Sequence, residues 1–383
     1  MAHCNTIFSQ LLKYVPRHEF ETLASKHHCG RSFRTASRWS QFVTLAMAQL
    51  AGRNSLRDIV ENLSAQAHLL YHLGSVKLSR TSLSRINEDK PYSLYEALFG
   101  KLLSRLQGMA PGHDFRFNNP LYSLDASTID LCLSAFPWAD FRSTKGAVKL
   151  HVGLNHDGYL PEFVTITEGK TSDIEVARTL EFPKGSIVAV DRGYNDYAWY
   201  NQLTERGIFF VTRLKSNAKT RVVQRHSILA DKGLTSDQTI EFTGIQTAKK
   251  CPIPLRRIGY RDPDTGKHYV FLTNNFKLAA KTIADIYKAR WQVELFFKWV
   301  KQNLKIKSFI GTSKNAVMTQ IWIALCVYLL LAFIKFQSNL KKTMQQLLRL
   351  FQLNLFDKRE LFSLLRGDPP REEKASIDQM ALL

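Results

Sequence analysis

The segment Ser186-Ile187-Val188-Ala189-Val190-Asp191 restricts the fold more than any other. It is apolar at consecutive positions, so a strand here is covered on both faces, and it ends in a carboxylate. Further strand-like runs lie around it: residues 122–126, containing Asp125, then 149–154, 162–167 and 209–214. A short helix is predicted at 174–180. Three hairpin-connected strands, a helix and two more strands joined by helical crossovers describe a mixed α/β sheet.

The flanks have a different character. Residues 1–115 read as helical, with Trp39, Phe42, Val43, Ala46 and Leu50 on one face of a helix over 38–50. Ser55 to Asp58 looks like a capping box opening a second helix. A short helix over 79–87 turns Leu83 and Ile86 inward and Arg80, Arg85 and Asn87 outward. This pair resembles a helix-turn-helix that would bring Arg80 and Arg85 to DNA; a plain solvated helix has the same pattern. Between 215 and 280, short strands broken by Gly233, Gly244, Pro252, Pro254 and Asp262-Pro263-Asp264-Thr265-Gly266 read as a β-rich insertion separate from the α/β sheet. One long helix is expected over 280–304, followed by an apolar helix around Leu325. An amphipathic helix over 340–356 and a disordered polar tail from 367 to 383 complete the chain. The expected organisation is a helical DNA-binding domain (1–115), a first part of the core (116–214), the insertion (215–280), a second part of the core (281–335) and a C-terminal helical region (336–383).

Charge narrows the partner. Lys and Arg number 53 against 33 Asp and Glu, a net charge of +20 in a chain of ordinary globular composition. That excludes disordered, collagen-like and disulfide-scaffold proteins and points to a polyanion, most simply nucleic acid. A basic surface that serves only solubility is the alternative. The five cysteines (Cys4, Cys29, Cys132, Cys251 and Cys326) form no C-x-x-C pair, so neither structural zinc nor a disulfide framework is expected. With no signal-peptide pattern at the N-terminus, the chain is expected in the cytoplasm. Residues 321–334 are uncharged throughout but short for a bilayer span, so they are expected to form a buried core helix with no membrane partner.

Asp125 and Asp191 each follow an apolar run and precede turn-forming residues. Singly, each also suits helix capping or, through Arg192, an ion pair. The 280–304 helix sharpens the matter. At 100° per residue, Tyr287, Arg290, Glu294, Lys298, Lys301 and Lys305 fall within roughly 40° of one line, with Ala289, Val293, Phe296 and Val300 on the apolar side. One acid among five cationic or aromatic neighbours is unusual for a solvated face. Phosphodiester chemistry needs this mixture: carboxylates for a divalent metal, cations for phosphates. Trp291 and Trp299 point off this line and are expected to pack; Asp130, Asp173 and Asp196 are the main decoys for a metal site.

Tyr287-x2-Arg290-x3-Glu294-x6-Lys301 resembles the Y-R-E-K signature of DDE transposases in the insertion-sequence-four family. SLDAST around Asp125 and AVDRGY around Asp191 resemble the regions holding that family's two aspartates; 145–151 and 167–173 are also similar to family segments. The resemblance implies a ribonuclease-H-like fold, with a mixed five-stranded sheet, flanking helices, an interrupting β-rich insertion and a helical N-terminal domain. It implies that Asp125, Asp191 and Glu294 coordinate two Mg²⁺ or Mn²⁺ ions, and that element ends are cut and their 3′ ends joined to target DNA. Arg290 and Lys301 would grip phosphates, Lys298 lies on the same face, and Tyr287 would contact the terminal DNA. Double-stranded DNA is the partner, bound by a synaptic homodimer. Where relatives use hairpins an insertion aromatic stacks on a flipped base, and Tyr269 sits in the comparable strand; a strand aromatic in the core is the alternative. A stand-alone nuclease with the same carboxylates, or a non-catalytic transposase-derived regulator, are the rival functions.

Overall fold

The fold is read from a computed structural model, in which the described residues are 5–31, 36–142, 145–228 and 233–369. It divides into two compact units: Ala110–Val300, and Met1–Met109 together with Lys301–Leu383.

The first of these is built on one sheet. Its strands are β1 (Leu121–Leu131), β2 (Asp140–Arg142), β3 (Lys145–Asn155), β4 (Leu160–Glu168), β5 (Ile187–Val190), β6 (Phe209–Arg213), β7 (Thr220–Arg225), β8 (Leu234–Phe242), β9 (Leu255–Arg261) and β10 (His268–Thr273). β4, β3 and β1 pair antiparallel; β5 joins β1, and β6 joins β5, in parallel. This is the ribonuclease-H-like order. Gly153 pairs with Leu124 of β1 on one side and Phe163 of β4 on the other, and a Cβ there would lie 2.8 Å from the Phe163 ring and 3.0 Å from Leu124.

Alternation along β1 and β5 explains why their apolar residues are consecutive. Tyr122, Leu124, Val188 and Val190 face one core with Trp199, Tyr200 and Leu203 of the Tyr197–Glu205 helix. Leu121, Ile187 and Ala189 face the other, with Ile283, Ala284 and Ile286 of the Ala280–Ala289 helix. Both faces are dry, so no position in Ile187–Val190 tolerates a polar side chain.

The 215–280 strands depart from expectation. They continue the same sheet, β10 pairing antiparallel with β6, then β9, β8 and β7 following outward. β6 would otherwise be a bare edge with unpaired backbone groups, and β10 covers it.

In the other unit the Lys314–Ser338 helix is long and apolar enough to cross a membrane, yet its most apolar stretch is wholly buried. It packs against the helices Arg38–Leu50, Arg80–Asp89, Ser93–Gln107 and Met344–Asn354. The Arg38–Leu50 helix is therefore buried from Trp39 to Leu50 on every side, not along one stripe. Its polar Gln41 is satisfied inside, donating to Asn87 Oδ1 at 2.7 Å and accepting from the Tyr95 hydroxyl at 2.8 Å. Asn87 accordingly points inward, against the expectation that it faces out. The Leu56–Ala65 and Arg80–Asp89 helices are separated by Ala67–Leu70 and a 3-10 turn at Tyr71–Leu73, so no tight turn joins them. The C-terminal tail expected to be disordered lies, from 370 onward, outside the described residues.

Candidate active site

The parallel pairing of β1 and β5 runs Leu121 with Ile187 through Leu124 with Val190. Asp125 and Asp191 are the next residue on each strand, so one more step of the register sets them side by side. Both follow the row of Leu121, Ser123, Ile187 and Ala189, which faces the Ala280–Ala289 helix. Asp125 is part-buried and its Oδ1 accepts from the Ala126 N–H at 2.8 Å. Asp191 stands exposed where β5 ends, and its carbonyl accepts from the Tyr194 N–H at 3.1 Å.

Glu294 arrives on the Trp291–Asn303 helix, in its first turn. The long helix expected over 280–304 is broken at Arg290, where the Val293 N–H reaches back three residues to the Arg290 carbonyl. This local tightening seats the Arg290 side chain inward, 8% exposed. Its Nη2 donates to Glu294 Oε1 at 2.6 Å and its Nη1 lies 3.7 Å from Asp125 Oδ2. The guanidinium also lies over the Tyr287 ring at 5.6 Å. Tyr287 in turn packs on Phe271 of β10, centroids 5.0 Å apart. Val293, Phe296 and Val300 are buried, as expected, and Lys298 is exposed. Trp291 is not a packing residue: it is 56% exposed, with Leu295 beside it at 40%. Lys301 is half-buried and belongs to the other unit, as do Arg80 and Arg85, both exposed.

Burial pushes the Asp125 carboxyl up to about 6; Glu294 and Asp191 add to this, while the Ala126 N–H and Arg290 pull the other way. Asp125 thus feels the charges of both other carboxylates. Among the described residues no three His, Cys, Asp or Glu side chains already close on a common point. Arg290 bridges Asp125 and Glu294 instead, and its Nε and Nη1 are buried without a hydrogen-bond partner. A buried acid with two acidic neighbours, held by an imperfectly satisfied internal cation, fits a site for a cation. Its donors are all carboxylate oxygens, which suit a hard divalent ion such as Mg²⁺ or Mn²⁺.

The decoys have other work. Asp173 pairs with Lys149 at 2.9 Å, with buried His151 at 3.7 Å. Asp196 caps its helix through the Trp199 N–H at 2.8 Å and pairs with Arg178. Asp130 is exposed. Tyr269 is half-buried on β10, stacked on Phe271 with the planes 7° apart, and the Arg213 guanidinium lies 5.0 Å over its ring. Two residues near the carboxylates escaped the sequence reading. Buried Tyr194 feels the charges of Asp125, Asp173 and Asp191, and burial raises its phenol above the usual range. Arg213 ends the strand Phe209–Arg213, and a cation closing a strand whose interior is buried is the sign that the sequence offered.

The strand order defines a protein of the ribonuclease-H-like fold class. Residues 117–330 match the family model of the transposase DDE domain, and 3–76 match a domain of unknown function. The chain is 32% identical to a Sinorhizobium fredii protein named as a transposase (y4zB), over 78% of this chain and 85% of that one. It is 30% identical to the protein named as the transposase of insertion sequence element IS5377 in Geobacillus stearothermophilus, over 70% of each. A cryo-EM structure of a piggyBac transposase synaptic complex with hairpin DNA aligns with TM-score 0.47 and 11% identity, covering 98% of this chain and 83% of that one. The protein belongs to the DDE transposase family and is a DNA transposase. That family cuts and joins DNA with divalent metal ions.

Proposed function

We propose that Asp125, Asp191 and Glu294 hold two Mg²⁺ or Mn²⁺ ions and that the protein cuts the ends of an insertion sequence of the insertion-sequence-four type, then joins the 3′ ends to target DNA. The observation that carries this reading is the cation already lodged among the carboxylates, Arg290 against Glu294 and Asp125. Bound there, the ions supply an activated water or 3′-hydroxyl and stabilise the leaving oxygen.

The chain's own residues do the rest. Asp125 must give up its proton to act as a ligand, which its burial opposes and a bound cation favours. Arg290, held by Glu294 and near Asp125, would offer its fork to a backbone phosphate. Tyr287, placed by Phe271, presents a ring edge and hydroxyl to the terminal DNA. Lys298 and Lys301 hold phosphates along the same helix, and Tyr269 stacks on a base at the element end. Arg80 and Arg85 read or grip that end from the helical 1–115 region. Segments 116–214 and 281–300 carry the chemistry and the 215–280 strands position DNA beside it; residues 301–335, expected as part of the core, belong to the unit formed with the N-terminal helices. Synapsis of two terminal inverted repeats calls for a homodimer, acting in the bacterial cytoplasm on the nucleoid.

The test is cleavage and strand transfer on duplexes carrying the element's own ends, with Mg²⁺. Wild type should cut and join. Cutting without joining would mean a stand-alone nuclease; binding without either would mean a regulator. Near wild-type cleavage by Glu294→Gln would overturn the metal assignment.

A further inference from the structure

Beside the ends of β6, β8, β9 and β10 lies an open cavity of about 460 Å³. Arg192, Arg213, Lys215, Gln238, Arg257 and His268 contribute to its lining, and every charged lining residue is basic. Arg192 is the residue after Asp191, so the rim of the cavity adjoins the end of β5.

Two adjacent arginines of β9 show what is unusual here. Arg256 points to the other face and is neutralised: Nε and Nη2 donate to both oxygens of Asp237 at 2.9 and 2.7 Å. Arg257 points into the cavity and is held by neutral oxygens. Its Nε donates to Gln238 Oε1 at 2.9 Å and its Nη1 to Thr220 Oγ1 at 3.1 Å. Burial and then the charge of Arg225 pull the Arg257 guanidinium below its usual value. A half-buried cation beside a second cation, oriented by two neutral acceptors, is costly unless an anion completes it. Its Nη2 also donates to Gln238 Oε1, at 2.5 Å, so one hydrogen on each terminal nitrogen is left for a phosphate.

Size restricts the anion's carrier. The cavity is within the range of small-ligand pockets, wide enough for one nucleotide and too small for a paired duplex. We propose that this cavity is a phosphodiester-binding subsite for a single DNA strand, in which Arg257 takes a phosphate and Arg192 leads the strand on from Asp191. Its ligand follows from the cavity alone; its place in the reaction rests on the assignment of Asp191 to the reaction centre.

Full-length protein is titrated, in EDTA, into a fluorescein-labelled ten-nucleotide thymidine strand and, separately, a labelled twenty-base-pair duplex. Arg257→Gln should weaken single-strand binding about tenfold and leave duplex binding within twofold. Its single-strand salt slope should flatten by about 0.7, one phosphate contact. Arg257→Lys should recover part of the affinity. Inorganic phosphate at millimolar concentration should compete with the strand in wild type only weakly; full displacement at that concentration would identify a free-phosphate site and overturn the proposal. Unchanged single-strand affinity in Arg257→Gln, or equal weakening on strand and duplex, would also overturn it. If Arg257→Gln does not fold, Arg192→Gln and Lys215→Gln on the exposed rim carry the same test. Glu294→Gln should bind the strand as wild type does, so failure of the metal reading shows in cleavage and leaves this binding result standing.

Discussion

Arg290 and Glu294, one helical turn apart, are joined at 2.6 Å by a guanidinium whose other terminal nitrogen lies 3.7 Å from Asp125. An internal cation thus stands between two of the carboxylates proposed to hold metal. The ion pair is possible because the helix tightens at Arg290 and seats that side chain inward.

Exchange between Arg290 and a metal is measurable as stability. Arg290→Gln leaves Asp125 and Glu294 facing each other unpaired, and should cost about 1–2 kcal/mol without metal, discounted because Glu294 is a third exposed. Saturating Mn²⁺ should then stabilise the variant more than wild type in urea unfolding. Equal gains in both would show that arginine and metal do not share the site.

Glu294→Gln removes one anionic ligand with little change of shape. Cleavage should fall about 10²-fold or more, with duplex binding retained or slightly tighter. Asp125→Asn and Asp191→Asn should behave alike, and the double variant should be little worse than either, because the three act as a unit. Asp196→Asn should cleave within a few-fold of wild type and melt close to it, since asparagine caps a helix about as well as aspartate and only the exposed Arg178 pair is lost.

Asp125 should leave a signature in acid. Its folded value of about 6 lies above the unfolded value of an aspartate, so the folded state takes up the proton first. Its contribution therefore favours the fold below the unfolded pKa and is lost as pH rises through 6. Buried His151 and His156, both pushed down to about 4, act in the opposite sense over the same range. The melting temperature of Asp125→Asn minus that of wild type, followed from pH 4 to 7.5 in EDTA, should rise through pH 6. A flat difference would contradict the burial of Asp125. Cleavage, which needs the ionised form, should decline as pH falls through about 6.

Asp237 and Arg256 are 5% and 9% exposed and bonded through two contacts. Arg256 Nη1 also donates to the Asn275 carbonyl at 3.1 Å, in the approach to the Ala280–Ala289 helix. Asp237→Ala leaves a buried cation and should cost about 3–5 kcal/mol in urea unfolding. A loss under 1 kcal/mol would mean that the pair is not closed in solution.

Arg80 and Arg85 are exposed on one short helix. Alanine at each should weaken binding to element ends while sparing cleavage of pre-nicked ends. Unchanged affinity in both variants would return this helix to an ordinary solvated surface.

Sequence by itself determined the local elements and the identity of the chemistry. Consecutive apolar residues required Ile187–Val190 to be covered on both sides, a terminal aspartate marked where the strand met solvent, and the Y-R-E-K spacing put Glu294 among cations. Such features depend on residues a few positions apart, so they are written in the order of the chain. Tertiary structure decided everything that depends on distant neighbours. The 215–280 strands joined the main sheet because β6 offered an unpaired edge, which no periodicity within those strands encodes. Asn87 turned inward because Gln41 and Tyr95 meet it there, and Trp291 turned outward once the helix broke at Arg290. The raised pKa of Asp125 and the contrast between Arg256 and Arg257 have the same origin. Adjacent residues of one strand face opposite sides, and whether a charge is neutralised is settled by the partner that the fold brings across, here Asp237 for one arginine and only neutral oxygens for the other.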